Sequence, residues 1–384
     1  MNLRAIALVD CDSFFASCEQ YRNPSLLGKP VCVLSNNDGC IVARSKEAKA
    51  LGIKMAMPAF QAKILYPQAF YISGDLKYYG QISSKVMSIL GDISPVVEIY
   101  SIDEAFLDLT GLRKLYRRSY LEMAEFIKQE IKNKVGIPVS VGVSLTKTLA
   151  KLATEKAKKN DGFYRIGFRD INNELRNTDL IDIWGIGNNT AALLNKFRIY
   201  TPYDFIMQND SWIKKIFGKK GIELKLELSG DSVYPVSDIQ IMPKSIQKTS
   251  SFQNFTSDAQ YIKNSIHYHT HRACKKLRKL GLKTRTIIIM LRTKDFRVFY
   301  AKYVLVNPTD WEFEIFDAVN KIFEQIYNPY NIYRSSGVIL ENLTDISQLS
   351  LFNSTENLMK QCNLAKTWDK LETKYGQNII QAGF

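Results

Sequence analysis

Twice along this chain a strand, a helix, two strands, a helix and a strand follow one another, and few folds accommodate that order. Residues 4–9 are a short apolar strand that ends in Asp10, and the aromatic, polar stretch 12–21 reads as a helix. Between Pro95 and Leu109 two strand-like halves flank Asp103-Glu104, a hairpin with two acids at its tip. Residues 119–135 have helical apolar spacing at Met123, Phe126, Ile127 and Ile131, and 138–143 is again a strand. Residues from about 22 to 75 stand outside this order as an insertion. It holds an apolar strand at 30–34, the polar turn Ser35-Asn36-Asn37-Asp38-Gly39 and a helix candidate at 45–51.

The order is that of a ferredoxin-like split βαβ sheet, an α+β arrangement in which Asp10 lies beside the hairpin tip and the insertion stands over the acids as a lid. After Gly162 the character changes. Residues 170–230 are short, helical and rich in turn residues, with junctions at Gly185-Ile186-Gly187 and Gly218-Lys219-Lys220-Gly221. Residues 232–243 carry Pro235 and Pro243 and few helical signals, which suits an interdomain linker. Beyond it come a strand at 244–252, a helix at 258–280 stopped by Gly281, and a hairpin at 284–291 and 296–306. A helix at 311–326 repeats through Ile315, Phe316, Val319, Ile322 and Phe323, and a last strand covers 332–340. This second copy lacks paired acids. It carries Lys275, Lys276, Arg278, Lys279, Lys283, Arg285, Arg292, Lys294 and Arg297, so it reads as a binding module, with Lys248, Arg285 and Arg292 as candidate DNA contacts.

A chain of 384 residues exceeds the size at which a single core stops growing, and 46% hydrophobic residues supply material for two to four modules. The formal charge of +14 favours a polyanionic partner, nucleic acid or an acidic membrane surface. No apolar run reaches the roughly 20 residues that span a bilayer. Met1-Asn2-Leu3-Arg4 runs straight into a strand rather than a signal peptide, so a soluble, cytoplasmic protein is expected. The six cysteines, Cys11, Cys18, Cys32, Cys40, Cys274 and Cys362, form no Cys-x-x-Cys pair and read as reduced, mostly buried thiols. Of the three histidines, His267 and His271 share a helix face and His269 does not, which argues against a three-histidine metal site.

Two adjacent acids at a hairpin tip, with a third at the end of a neighbouring strand, make an oxygen-rich site suited to Mg²⁺. Two such ions about 3.5–4 Å apart activate an attacking hydroxyl and stabilise a leaving oxygen in phosphoryl transfer. Alone, Asp103-Glu104 could equally be ordinary turn residues. Their surroundings are more specific. Ile6-Ala7-Leu8-Val9-Asp10-Cys11-Asp12-Ser13-Phe14-Phe15-Ala16-Ser17-Cys18-Glu19 and Tyr100-Ser101-Ile102-Asp103-Glu104-Ala105-Phe106-Leu107-Asp108 resemble the two metal-binding signatures of the Y-family DNA polymerases. Leu34-Ser35-Asn36-Asn37-Asp38-Gly39-Cys40 and Glu47-Ala48-Lys49-Ala50-Leu51-Gly52-Ile53-Lys54 are most similar to the UmuC branch, the catalytic subunit of polymerase V. The resemblance covers essentially the whole chain.

That resemblance implies an error-prone translesion DNA polymerase, joining a dNTP to a primer 3′-hydroxyl with loss of pyrophosphate, in DNA repair and an SOS response. It implies catalysis by Asp10, Asp103 and Glu104 with two Mg²⁺ ions, Mn²⁺ being able to substitute. Metal ligation would fall to these acids and the carbonyl of Cys11, with Asp12 and Asp108 not touching the metals. Phe15 falls where an aromatic ring blocks a ribose 2′-hydroxyl, Phe14 beside the incoming sugar, and Lys49 and Lys158 where the triphosphate is held. Lys46 stands where the DinB-type pattern has tyrosine, and Lys49 where it has arginine.

Ile183-Trp184-Gly185-Ile186-Gly187-Asn188 reads as a helix-hairpin-helix turn whose Gly185 and Gly187 let backbone N–H groups approach a DNA phosphate. Gln348-Leu349-Ser350-Leu351-Phe352 resembles the pentapeptide by which bacterial polymerases dock on the sliding clamp, through Gln348, Leu349, Leu351 and Phe352. The implied partners are primer-template DNA, dNTPs, the clamp, a processed UmuD dimer and a RecA filament, and no membrane. Residues 364–384 look like a helix with an unidentified packing partner. The expected layout is a right hand: palm at 1–25 and 76–168, fingers at 26–75, thumb at 169–231, linker at 232–243, a second ferredoxin-like little finger at 244–343, and a tail at 344–384. A nucleotidyl cyclase also sets acids on such a sheet but needs neither the helix-hairpin-helix nor the basic module. A non-catalytic DNA and clamp adaptor would not need all three acids.

Overall fold

The computed structural model describes residues 4–35, 38–239, 242–345 and 355–375. The chain divides into two compact units, Met1–Gln240 and Ile241–Phe384. The first unit begins with β1 (Ile6–Cys11) and α1 (Phe14–Arg22), and the inserted segment supplies β2 (Val31–Leu34), β3 (Ile41–Arg44), α2 (Lys46–Ala50), α3 (Ala59–Leu65) and β4 (Phe70–Ser73). There follow α4 (Leu76–Ile93), β5 (Val97–Ile99), β6 (Glu104–Asp108), α5 (Leu112–Tyr116), α6 (Tyr120–Val135), β7 (Val139–Ser144), α7 (Lys147–Lys158) and β8 (Phe163–Arg165). The main sheet has the order β5-β6-β1-β7-β8. Its first four strands alternate in direction with two helical crossovers, which is the expected ferredoxin-like pattern, and β8 is added parallel to β7.

Alternation along β1 decides which residues meet which helices. Ala7, Val9 and Cys11 enter the core shared with α4 and α6, while Ile6 and Leu8 pack with Phe106 and with Ala150 of α7. Asp10 therefore belongs to the α7 face. On β6, Ala105 and Leu107 enter the first core and Phe106 turns to α7. Gly142 of β7 permits the close approach of α7, since a Cβ there would lie 2.1 Å from the backbone nitrogen of Thr154.

Helices α4 and α7 have clear local causes. Asp75 caps α4 by accepting from the Tyr78 N–H at 3.0 Å, and Tyr79, Ile82, Val86, Leu90 and Ile93 form its buried stripe. Thr146 caps α7 from the Leu149 N–H at 3.2 Å. Helix α6 starts in a capping box, where Glu122 accepts from the Ser119 N–H at 2.6 Å and Ser119 from the Glu122 N–H at 3.2 Å. The insertion closes as its own sheet, β3-β2-β4, over a small core that includes Cys32, Leu34, Ile41 and Ala48.

Helices α8 (Ile171–Arg176), α9 (Asn188–Lys196), α10 (Pro202–Ile206) and α11 (Asp210–Ser229) share a core with Leu145, Leu149 and Leu152, so this module grows from α7. Gly218 sits at φ 65° and breaks α11 in two. The segment expected as a linker is tied down through residue 239. The fully buried Glu227 accepts from the Val233 and Tyr234 N–H groups at 2.7 and 3.0 Å and from the Thr148 N–H at 3.1 Å. Val236 packs against Ile6, Leu8 and Phe106.

The second unit contains β9 (Ser245–Thr256), α12 (Ala259–Lys279), β10 (Lys283–Thr293), β11 (Val298–Thr309), α13 (Glu312–Ile326), β12 (Tyr333–Thr344) and α14 (Thr355–Tyr375). Its element order repeats that of the first sheet, as expected, and the strands are again antiparallel. The strand order, β11-β10-β12-β9, differs from that of the first sheet in which strand is central: the last strand of the repeat, β12, lies between β10 and β9, and the first, β9, is at the edge. Ile287, Ile289, Leu291, Val338 and Leu340 turn to α12 and α13, leaving the other face of the sheet open.

The C-terminal helix starts earlier than expected and packs on this unit's own α12 and α13. Arg278 donates to Asp369 at 2.8 and 2.9 Å, Lys275 to Glu372 at 2.6 Å, and His271 lies 2.7 Å from Glu312 and 2.8 Å from Glu372. Burial alone would lower the His271 pKa, but the two carboxylates raise it above the ordinary value. His267 meets Asn320 at 2.9 Å and His269 meets Ser250 at 3.1 Å, so each histidine has its own protein partner. Among the described residues no helix is long and apolar enough to cross a membrane.

Glu227→Ala would leave the buried Thr148 N–H and the part-buried Val233 and Tyr234 N–H groups without their partner and is expected to lower stability by about 3 kcal/mol. Chemical denaturation checks this, and a loss below about 1 kcal/mol would mean that the hydrogen bonds of Glu227 do not hold α7, α11 and residues 233–234 together.

Candidate active site

Asp10 ends β1 and pairs in register with Glu104, the first residue of β6. Both side chains project to the α7 face, and Asp103 is held beside them because its carbonyl accepts from the Cys11 N–H at 2.8 Å. Ser101 shapes the tip: its hydroxyl accepts from the Asp103 and Glu104 N–H groups at 3.1 Å each and donates to the Asp103 carboxylate. Opposed acids on neighbouring strands repel, and α7 supplies the answer. Lys151 Nζ lies 3.1 Å from both carboxylate oxygens of Glu104, and Lys158 Nζ lies 3.1 Å from Asp10 Oδ1.

Burial pushes the Asp10 pKa up to about 6; Lys158 pulls it down, and the charges of Asp103 and Glu104 add to the rise. The Lys158 ammonium is depressed by burial, yet Asp10 and Glu155 outweigh this and leave its pKa raised. These are hard oxygen donors crowded into one place with an excess of negative charge, which fits a divalent cation. Among the described residues no three acids, cysteines or histidines already surround one point, because Asp10 and Glu104 each face a lysine.

The other expected residues separate clearly. Asp12 accepts from Ser140 Oγ at 2.8 Å, and Asp108 accepts from the Thr110 N–H at the far end of β6. Lys49 Nζ donates to Ser13 Oγ at 2.8 Å; burial, then Arg44 and Lys158, hold its pKa below the ordinary value. Phe15 is partly exposed and stacks on Tyr79 at 4.6 Å. Phe14 is only 3% exposed and packs in the core of the first unit. Gly185 takes φ 99° and Gly187 is the N-cap of α9. A hollow of about 120 Å³ beside them is lined also by Thr190, Lys220 and Gly221, so the two glycine junctions meet.

In the second unit Arg292 is on the open sheet face, paired in register with Ser335. Arg285 is exposed and donates to the Leu305 carbonyl at 3.2 Å. Lys248 pairs with Val338 on the face covered by α12; burial, then Arg272 and Lys276, lower its pKa, and it does not belong to the open surface. Gln348, Leu349, Leu351 and Phe352 lie outside the described residues. Two residues absent from the sequence expectations are Lys151 and Ser101. The spacing of Lys147, Lys151 and Lys158 on one helical face was the signal for the first.

The impB/mucB/samB family model matches residues 9–155, and the model of that family's C-terminal domain matches 243–351. Protein UmuC of Salmonella typhimurium is 33% identical over 97% of this chain and 92% of its own length. DNA polymerase IV of Clostridium kluyveri is 31% identical over 99% of this chain and 98% of its own. Among solved structures, the Y-family DNA polymerase chimera Dbh-Dpo4(243-245)-Dbh aligns with a TM-score of 0.75 at 28% identity, over 88% of this chain and 98% of that one. An insertion ternary complex of Dbh DNA polymerase aligns with a TM-score of 0.62 at 27% identity, over the same shares.

Ser101→Ala should speed hydrogen exchange at the Asp103 and Glu104 amides and cost about 1–2 kcal/mol. Exchange at the wild-type rate would mean that the tip is held by something other than the Ser101 hydroxyl.

Proposed function

The chain belongs to the impB/mucB/samB family and is a UmuC-like Y-family DNA polymerase of translesion synthesis, and on that premise we propose how its residues divide the work of one nucleotidyl transfer. The observation that carries the reading is the Asp10–Glu104 register pair with Asp103 beside it. Polymerases of this family depend on divalent metal. Asp10, Asp103, Glu104 and the Cys11 carbonyl would hold two Mg²⁺ or Mn²⁺ ions, which when bound activate the primer hydroxyl and stabilise the leaving pyrophosphate.

The chain's own residues do the rest. Lys158 keeps Asp10 neutralised until it is loaded, then turns its ammonium to the triphosphate together with Lys49, whose weakened solvation favours an anionic partner. Phe15, braced by Tyr79, stands against a ribose 2′-hydroxyl. The 185–187 turn grips DNA through backbone N–H groups, and Arg285 and Arg292 meet its phosphates. The palm comprises 1–25 and 76–168, the fingers 26–75, the thumb 169–231 and the little finger 244–343. With fingers this small and a grip on backbone alone, the site tolerates damaged bases.

Primer-template DNA and dNTPs are the substrates. The sliding clamp docks at Gln348, Leu349, Leu351 and Phe352, and processed UmuD and a RecA filament act with the enzyme in the cytoplasm during an SOS response; relatedness to UmuC supports this.

Primer extension across an undamaged template and one abasic site tests the site. Asp103→Ala is expected to cut extension by roughly a thousandfold while DNA affinity stays within about twofold. Extension by the variant at the wild-type rate would overturn the assignment of the acids.

A further inference from the structure

Lys151, which pairs with Glu104, and Trp184, which meets Lys151, are given no step in the transfer described above. The Lys151 ammonium bridges both oxygens of Glu104 and at the same time lies over two rings, 5.0 Å from the centre of Tyr100 and 5.5 Å from that of Trp184. Those rings meet edge to face at 5.7 Å and 89°. Trp184 also packs on Phe106, the β6 residue between the acids and the core, at 6.3 Å, and on Tyr234 at 6.3 Å. Tyr100 immediately precedes Ser101, which shapes the acidic tip.

Trp184 is the residue immediately before Gly185, where the chain turns through φ 99° into the 185–187 turn. We propose that Lys151 and Trp184 are positioning residues that couple engagement of the 185–187 turn by DNA to the placement of the Glu104 carboxylate. The inference rests on the reading of Glu104 as a metal-holding acid.

The physical case has three parts. A carboxylate has about four lone-pair sites, so an ammonium bridging it on one side leaves the other side open to a cation. An ammonium is a compact charge on a flexible stem, and a position between two ring faces restricts where it rests. A displacement of the turn moves the Trp184 ring against Phe106, which is fully buried, and against the half-buried Lys151 ammonium that it shares with Tyr100, so the shift reaches Lys151 through ring contacts and through a packed side chain that transmits it. Grip on the primer-template is thereby felt at Glu104.

The test uses the full chain with Trp184→Leu, Lys151→Met, their double variant, and the conservative Trp184→Phe and Lys151→Arg, with Asp103→Ala alongside. Melting curves identify variants that fail to fold. Each disruptive single variant is expected to lower kcat by about tenfold or more, with the KM for dNTP and metal-free DNA affinity within about threefold. The double variant should fall no further than the worse single, the mark of two residues acting in one line. Trp184→Phe and Lys151→Arg should recover most of the rate.

In EDTA, adding primer-template should change the emission contributed by Trp184, taken as wild type minus Trp184→Phe, and Lys151→Met should reduce that change. Multiplying defects in the double variant, an unaffected kcat in Trp184→Leu, or no DNA-dependent emission from Trp184 would each overturn the proposal. Activity retained by Asp103→Ala would instead overturn the metal assignment, so the two failures are distinguishable.

Discussion

Two carboxylates facing each other across neighbouring strands are a cost to folding, and the Asp10–Glu104 pair is the constraint around which the first unit is arranged. The sheet cannot avoid the pairing: β1 and β6 are locked in register by buried apolar residues on both faces, and a slip by one residue would turn every one of them out of its core. The acids are instead made tolerable from the side. Lys151 and Lys158 reach them from α7, and the Asp10 pKa still rises to about 6 through burial and its acidic neighbours. A site kept short of positive charge in this way is prepared for divalent cations rather than occupied by its own lysines alone.

That arrangement explains other features of the unit. Helix α7 must run close to the sheet for its lysines to reach the acids, and Gly142 is the position that lets it do so. The same helix donates Leu149 and Leu152 to the core of the helical module that carries the 185–187 turn. One element thus packs on the sheet that carries the acids and in the module that carries the 185–187 turn. Glu227 ties the end of that module and residues 233–234 back to the start of α7.

Much of this was legible in the sequence because it depends on local pattern. Strand alternation and the position of Asp103-Glu104 between two strand-like halves are enough to bring three acids together, and the resemblance in residues 6–19 and 100–108 gave them a chemistry. Helices α4 and α7 were not among the sequence expectations, although α4 has a cap at Asp75 and a regular buried stripe and α7 sets Lys147, Lys151 and Lys158 on one face. The strand order of the second sheet was not readable either, since a β-α-β-β-α-β succession is compatible with either neighbour for its first strand and tertiary packing chooses. Lys248 looked like one more basic surface residue, but its place on β9 lies beneath α12. The packing partner of helix α14 was not readable from its sequence, and Asp369 and Glu372 are the residues that dock it on Arg278, Lys275 and His271.

The central claim is that the acids at the end of β1 and the start of β6 gather divalent ions for nucleotidyl transfer. Anomalous scattering from manganese, in crystals of the full chain with primer-template and an unreactive dNTP analogue, addresses it directly. Two manganese sites bounded by Asp10, Asp103, Glu104 and the Cys11 carbonyl, with Lys158 turned from Asp10 toward the triphosphate, are the predicted result. Manganese bound elsewhere, with Lys158 still on Asp10, would contradict it.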